Sequence, residues 1–178
     1  MNRNSPLKAA RFRLYSAPSK IGGHGIFTED FIQKGSQIYT LTGDKGSLDY
    51  MNSLIDAGKI TVDDGLQIDS DTYISLEPFG KSFNHCCEPN AAVVSESDLI
   101  AARDILPGEE VTYDYSATVG IEKTWWKMNC NCLAASCRKI ASSVGTIPKH
   151  RLMYYYENNL LLDYIVVQLN LPKLKKNG

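Results

Sequence analysis

Long hydrophobic runs are missing from this sequence. No apolar stretch approaches the roughly 18–20 residues that a membrane-spanning helix requires. The opening residues 1–6 also lead into no apolar segment of the kind found in secretory signal peptides. We therefore expect neither membrane association nor secretion.

An excess of charge of one sign is missing as well. The 19 Lys and Arg residues nearly balance the 20 Asp and Glu residues, which gives a net charge of −1. A chain without a basic excess has no overall attraction for polyanions, so we expect no direct binding to nucleic acid. Charge is uneven only locally, since residues 56–77 carry six acids and one lysine. This acidic segment is either a solvated loop or a surface that attracts a lysine-rich peptide.

Cysteine and histidine are scarce, at five and three residues. An odd number of cysteines without a secretory signal is typical of a reducing compartment. We expect a cytoplasmic or nuclear protein, or one delivered into a host cell if its source is a microbe.

Three of the five cysteines are nevertheless clustered. Cys130, Cys132 and Cys137 form a Cys-x-Cys-x₄-Cys pattern, and soft thiolates at close spacing are typical zinc ligands. A structural zinc takes a fourth ligand, for which the neighbours Cys86 and Cys87 are better candidates than the distant His150. The alternatives are a disulfide with a free thiol, unrelated buried cysteines, or a cysteine nucleophile activated by His85.

Hydrophobic periodicity predicts a mostly β core followed by a helix. Alternating segments bounded by turns predict strands, whereas apolar spacing of three and four residues predicts one helix over 48–58. Residues 147–170 predict one long helix, apolar nearly all round, which packs on the body of the protein or on a second copy as a homodimer. The predicted strands are 11–17, 25–30, 36–43, 71–76, 91–97, 99–105 and 109–115.

Four segments resemble, in order, the motifs of SET-domain protein-lysine methyltransferases. The order and spacing make this resemblance specific, although each short motif alone is weak evidence. No cysteine-rich pre-SET segment accompanies them. The segments are GGHGIF (22–27), FNHCCEPN (83–90), ARDILPGEEVTYDY (102–115) and CNCLAASCRK (130–139).

The resemblance implies a SET-domain fold of several small sheets with two central segments threaded as a pseudoknot. It implies binding of S-adenosylmethionine (SAM) and of one structural zinc. The chain then divides into a flexible arm (1–10), a SET core (11–118), a post-SET zinc loop (119–145) and a C-terminal helix with a basic tail (146–178).

The resemblance also assigns roles to individual residues. Tyr115 is the expected catalytic tyrosine. Tyr113 shares a face with it if both lie on a strand. A second active-site tyrosine is either Tyr50 or Tyr73. Cys87 is the expected fourth zinc ligand, because Cys86 stands where the family has serine. The expected cofactor-binding residues are Gly23, His24, Gly25, Asn84, His85, Tyr115, Trp125 and Leu133, with Trp126 as a further candidate.

These expectations predict transfer of a methyl group from SAM to a lysine of a protein substrate, such as a histone. Attack requires a neutral amine, and an apolar aromatic channel beside a positive sulfonium disfavours the ammonium form of lysine. Two alternatives stay open: an inactive SET-like module that binds peptides or scaffolds a complex, and a small zinc-stabilised structural domain. Trp125 and Trp126 either line the lysine channel beside the cofactor or pack under the C-terminal helix.

Overall fold

A computed structural model describes residues 11–172 and residue 174. The predicted arm 1–10 and most of the basic tail lie outside the described residues. The described chain forms four small sheets, all antiparallel. The mostly β core of several small sheets is what the hydrophobic periodicity and the family motifs predicted. Within the described residues, no helix has the length and apolar character needed to cross a bilayer.

Two sheets have two strands and two have three. A hairpin pairs β1 (Leu14–Pro18) with β2 (His24–Thr28), and the short β9 (Met128–Asn129) pairs with β10 (Ile140–Ala141). The three-stranded sheets have the orders β3-β8-β7 and β4-β6-β5. Their strands are β3 (Gln37–Thr40), β4 (Gly43–Gly46), β5 (Gly65–Asp69), β6 (Thr72–Leu76), β7 (Ala91–Val94) and β8 (Asp98–Ala101).

The predicted helix over 48–58 is confirmed as α1 (Leu48–Asp56). The Ser47 side chain caps it by accepting from the backbone N–H of Tyr50, and Met51 is its buried residue. The four-residue α2 (Pro78–Lys81) begins with a proline at its first position, where no N–H is required. The acidic segment is not a simple loop, because β5 and β6 lie within it.

The prediction of a strand over 109–115 is wrong. The amides of this segment bond to different partners instead of one neighbouring strand. The N–H of Val111 donates to the carbonyl of Ile26 (2.7 Å), that of Thr112 to the side-chain oxygen of Asn90 (2.9 Å), and that of Tyr113 to the carbonyl of Asn84 (3.2 Å). These bonds bring the segment that ends in Tyr115 against residues 83–90, where His85 and Tyr113 form a parallel bridge.

The prediction of a single helix over 147–170 is also wrong. Two shorter helices, α3 (Lys149–Glu157) and α4 (Asp163–Gln168), are separated by a turn. Asn159 adopts φ of +55° there, a left-handed conformation that asparagine tolerates better than most residues. The turn buries Leu160, Leu161 and Leu162, so the all-round apolar pattern reflects packing of α3 and α4 into the main core.

Candidate active site and metal centre

Four cysteine sulfurs form a compact cluster at one end of the core. The ligand atoms of Cys87, Cys130, Cys132 and Cys137 all lie within 4.8 Å of one another. The Sγ of Cys130 is 3.7 Å from the sulfurs of both Cys87 and Cys137. A tetrahedral zinc with Zn–S bonds of about 2.3 Å separates its sulfurs by about 3.8 Å, so the residues fit this metal.

Backbone amides point at the sulfurs of this cluster. The N–H of Cys87 donates to Sγ of Cys132, and the N–H of Arg138 donates to Sγ of Cys87, each at 3.4 Å. Burial opposes ionisation of Cys132, but hydrogen bonds from the N–H groups of Cys87 and Ala134 and from the Cys130 and Cys137 thiols together outweigh it and lower the pKa of that thiol to about 7. The backbone at Cys132 therefore favours its thiolate, the form that binds zinc. Burial raises the pKa of the Cys87 and Cys130 thiols, so their deprotonation depends on the bound metal.

The two adjacent cysteines have different positions, as the resemblance implied. Cys87 belongs to the four-sulfur group, whereas Cys86 does not. The sulfur of Cys86 accepts a hydrogen bond from the N–H of Glu88 at 3.4 Å. None of the five cysteines forms a disulfide, which removes that alternative in this structure.

An aromatic cavity of about 120 Å³ lies between α1, the β5–β6 hairpin and the loop that leads to the cysteines. Apolar residues of α1 and of the following turn form one wall of the cavity. Asp63, from the acidic segment 56–77, also lines the cavity. The indole N–H of Trp126, another lining residue, donates to Asp63 (3.2 Å). The aromatic lining residues are Tyr73, Tyr113, Tyr115, Trp125 and Trp126.

Tyr115 is held by three contacts. Its hydroxyl donates to the carbonyl of Phe83 (2.7 Å), its backbone N–H donates to Nδ1 of His85 (3.1 Å), and its ring lies 4.7 Å from that of Tyr113. Burial, followed by the charges of Asp63 and Glu110, raises the pKa of Tyr115. The phenol therefore stays protonated near neutral pH. Tyr115 lies in a 3₁₀ turn rather than a strand, yet the two tyrosines meet as predicted.

Tyr73, one of the two sequence candidates for a second active-site tyrosine, is among the residues that line the cavity. It is buried, and within the described chain its hydroxyl has no hydrogen-bond partner. Burial, with smaller effects from Asp71 and Glu122, raises the pKa of Tyr73 to about 12. Tyr50, the other candidate from sequence, is 38% exposed and is not among the lining residues.

The glycine loop lies against Asn84. The side-chain amide of Asn84 donates to the carbonyl of His24 (3.1 Å) and to Oε1 of Glu110 (2.6 Å). A Cβ at Gly25 would come within 2.1 Å of the same Oε1, so a side chain at this position would require the Glu110 carboxylate to move away from Asn84. Gly23 adopts φ of +51° and faces open space, which leaves its backbone accessible to a ligand.

The other predicted cofactor residues lie in different surroundings. His24 and Leu133 are exposed, and Leu133 has φ of +59° in the cysteine loop. Trp125 is at the rim of the aromatic cavity, 60% exposed.

The His85 imidazole is buried, with Nε2 3.4 Å from the sulfur of Cys87. Burial lowers the pKa of His85 to about 4, so the ring is neutral. Because the His85 ring is enclosed, only its main chain is left to contact a cofactor. The cofactor contacts expected for His24, His85, Trp125 and Leu133 stay predictions.

Asp114 connects the site to two later parts of the chain. The Asp114 side chain is 1% exposed, and its Oδ1 lies 2.5 Å from Nη2 of Arg138, the residue after the last cysteine. Its Oδ2 accepts from the hydroxyl of Tyr155 in α3 (3.2 Å). The guanidinium is also nine-tenths buried, and its Nε and Nη1 have no partner in the described chain. Sequence reasoning missed Arg138 and Tyr155; the position of Arg138 beside Cys137 was the available signal.

Comparison with known proteins agrees with the fold. Human SETMAR's methyltransferase domain superposes with a TM-score of 0.60 at 23% identity, over 76% of this chain and 60% of that one. KRYPTONITE, solved with mCHH DNA, an H3(1–15) peptide and SAH, superposes with a TM-score of 0.56 at 27% identity, over 75% of this chain and 30% of that one.

A curated relative gives a similar result. The putative histone-lysine N-methyltransferase 1 of Plasmodium falciparum is 29% identical over 145 residues, which is 72% of this chain but 2% of that protein's length. The SET domain family model matches residues 23–116, more than half of the chain. The chain belongs to the SET-domain family.

Proposed function

We propose that this protein is a SAM-dependent protein-lysine N-methyltransferase. The observation that carries the proposal is the aromatic cavity that contains Tyr115, whose hydroxyl is bonded to the residue before Asn84. Asn84 in turn holds the glycine loop, so the cavity and the loop are connected through one tyrosine and one asparagine. When bound, SAM supplies an electrophilic methyl group on a positively charged sulfur.

The residues of the cavity suit a lysine side chain. The lining is mostly apolar and aromatic, which disfavours the charged ammonium and so favours the neutral amine that the reaction requires. Tyr115 lines the cavity, and its protonated hydroxyl is fixed in position by donation to the carbonyl of Phe83, a fully buried residue. No strong base is needed there, because positioning and desolvation carry the chemistry.

The cysteine cluster fits a structural zinc that holds the loop in place. Residues 119–141 bury few apolar side chains of their own, and metal binding supplies ordering free energy that such a loop lacks. The four sulfurs connect this loop to residue 87 of the core. Because the same loop contributes Trp125 and Trp126 to the cavity, zinc supports the shape of the substrate site.

A histone tail is the substrate that the relatives favour. The name of the Plasmodium relative specifies histone lysine, and KRYPTONITE was solved with an H3 peptide. Asp63 in the cavity wall offers negative charge to a basic peptide. We also propose a reducing compartment for this protein, because a four-thiolate cluster requires reduced cysteines.

The test is incubation of the purified chain with labelled SAM and core histones, followed by mass spectrometry of the acceptor lysine. We expect incorporation that Tyr115→Phe lowers by roughly tenfold or more, because the hydroxyl held at Phe83 is lost. Incorporation that is equal in both proteins would disprove the role of Tyr115. Binding of S-adenosylhomocysteine without any methylation would favour the inactive peptide-binding module.

A further inference from the structure

We propose that Lys123 of this chain is itself an acceptor for the methyl group, so that the protein methylates its own cavity wall. The inference rests on the proposed function and adds an intramolecular substrate to it. Lys123 lies in the loop between Tyr115 and the first clustered cysteine, and it lines the same cavity as Tyr73, Tyr113 and Tyr115.

The burial of Lys123 is unusual for its residue type. Its side chain is 16% exposed, although lysine side chains are mostly solvated. The partner of its amine is the carboxylate of its chain neighbour Glu122, at 3.6 Å, which is too long for a strong hydrogen bond. The other lysine of the cavity, Lys81, is 31% exposed and pairs with Asp64 at 3.2 Å. Lys123 is therefore the more buried and the less firmly paired of the two amines.

The backbone holds Lys123 at this wall. Its N–H donates to the carbonyl of Gly120 (3.0 Å), and its carbonyl accepts from the N–H of Trp126 (3.3 Å). The loop is fixed before Lys123 by the turn that contains Tyr115 and after it by the cysteine cluster. A reacting group that is tethered in this way has a high effective concentration at the site, so the reaction needs no second protein molecule.

The proposed reaction is a direct transfer of the methyl group from the sulfur of SAM to the amine of Lys123. The lone pair of neutral Nζ forms a bond to the methyl carbon, the bond between that carbon and the sulfonium sulfur breaks, and the sulfur keeps the electron pair. The amine proton passes to water. The products are N-methyl-Lys123 and S-adenosylhomocysteine, and no oxidant, reductant or metal step is required.

The experiment uses the purified full chain with labelled SAM and no added protein, and peptide mass spectrometry locates the label. We expect the mass increase of one methyl group on the peptide that contains Lys123. We expect loss of this label in Lys123→Arg and its retention in Lys127→Arg, because Lys127 is exposed in the same loop and does not line the cavity. The labelled fraction at a fixed time should not depend on protein concentration.

Three results would overturn the inference. Label confined to other lysines would exclude Lys123, and a labelled fraction that rises with protein concentration would show transfer between molecules. An unlabelled Lys123 in a protein that methylates core histones would refute the inference while leaving the proposed function intact. If histones also stay unlabelled, the proposed function fails with it. Glu122→Gln removes the ion pair that restrains the amine, and labelling of Lys123 should become faster.

Discussion

Among single residues, Tyr73 is unusual because its buried hydroxyl has no hydrogen-bond partner in the described part of the chain. A buried hydroxyl without a partner costs about 1–3 kcal/mol of folding free energy, so proteins seldom keep one without use. Tyr73 lies in the cavity wall with Tyr113 and Tyr115. The hydroxyl itself has almost no accessible surface, so a ligand reaches it only where the cavity wall shifts on binding, and Tyr73→Phe tests whether the amine of a bound lysine is its partner.

Tyr73→Phe should separate binding from stability. Removal of an unpaired buried hydroxyl should leave the free energy of unfolding unchanged or raise it by up to about 1 kcal/mol, whereas loss of one bond to a ligand should weaken lysine-peptide binding by about fivefold. Calorimetry with a histone peptide and thermal unfolding measure the two effects. Tyr50→Phe is the matched control, since Tyr50 does not line the cavity. A large loss of stability in Tyr73→Phe would mean that the hydroxyl is bonded within the fold.

The adjacent cysteines allow a second test with single substitutions. Cys87→Ser removes one of four clustered sulfurs, so we expect severe loss of zinc at a modest chelator concentration. Cys86→Ser should retain about one zinc per chain, because that sulfur lies outside the four-sulfur group. Elemental analysis after dialysis against a chelator measures both. Equal losses from the two variants would contradict the assignment of Cys87.

At the scale of elements, the zinc loop is joined to the core by more than its sulfurs. Arg138 donates its backbone N–H to Cys87 and its guanidinium to Asp114, the residue beside Tyr115. Burial of this guanidinium is tolerated because the carboxylate of Asp114 neutralises it. One arginine thus connects the metal cluster to the backbone of the proposed catalytic tyrosine.

Arg138→Met should damage both ends of this connection. It leaves the Asp114 carboxylate buried without its counter-charge, which typically destabilises a protein by about 3–5 kcal/mol. We expect a lower melting temperature and faster release of zinc to a chelator, together with reduced turnover. Lys139→Met, at the exposed neighbouring position, should change none of these. Zinc release at the wild-type rate in folded Arg138→Met would show that the arginine does not support the cluster.

Sequence patterns predicted most helices and strands, but they did not predict where a helix breaks or where an apparent strand lacks a neighbouring strand. The period of 3.6 residues identified α1, and alternation located most strands within a few residues. The break at Asn159 was missed because the apolar pattern continues through the buried turn from Leu160 to Leu162. Residues 111–113 look like a strand, but their amides bond to three separate partners that only the folded chain brings together.

For the whole molecule, motifs identified the residues near the site but not the contacts that hold them. Cys87, Tyr115 and Asn84 could be selected because they stand in short motifs, and the structure places Cys87 in the four-sulfur group and Tyr115 in the cavity wall. The roles of Tyr115 and Asn84 stay predictions. The acceptor of Tyr155 is Asp114, 41 residues away in sequence, and no local pattern encodes such a contact. Through Tyr155, α3 supplies a donor to the carboxylate that also binds Arg138, so a C-terminal helix contacts the residue next to Tyr115.

Tyr155→Phe tests whether this long-range contact serves the reaction. Loss of one hydrogen bond to a buried carboxylate should cost about 1–3 kcal/mol, and the freed carboxylate should position Tyr115 less well. We expect turnover to fall several-fold while the KM for SAM stays near the wild-type value, since the glycine loop and Asn84 are untouched. Tyr154→Phe is the matched control, because its hydroxyl bonds to the carbonyl of Ala102 at 3.3 Å, a partner outside this network. Equal melting temperatures and equal turnover in the two variants would mean that α3 only covers the core. A fall in turnover confined to Tyr155→Phe would place the C-terminal helices within the catalytic framework.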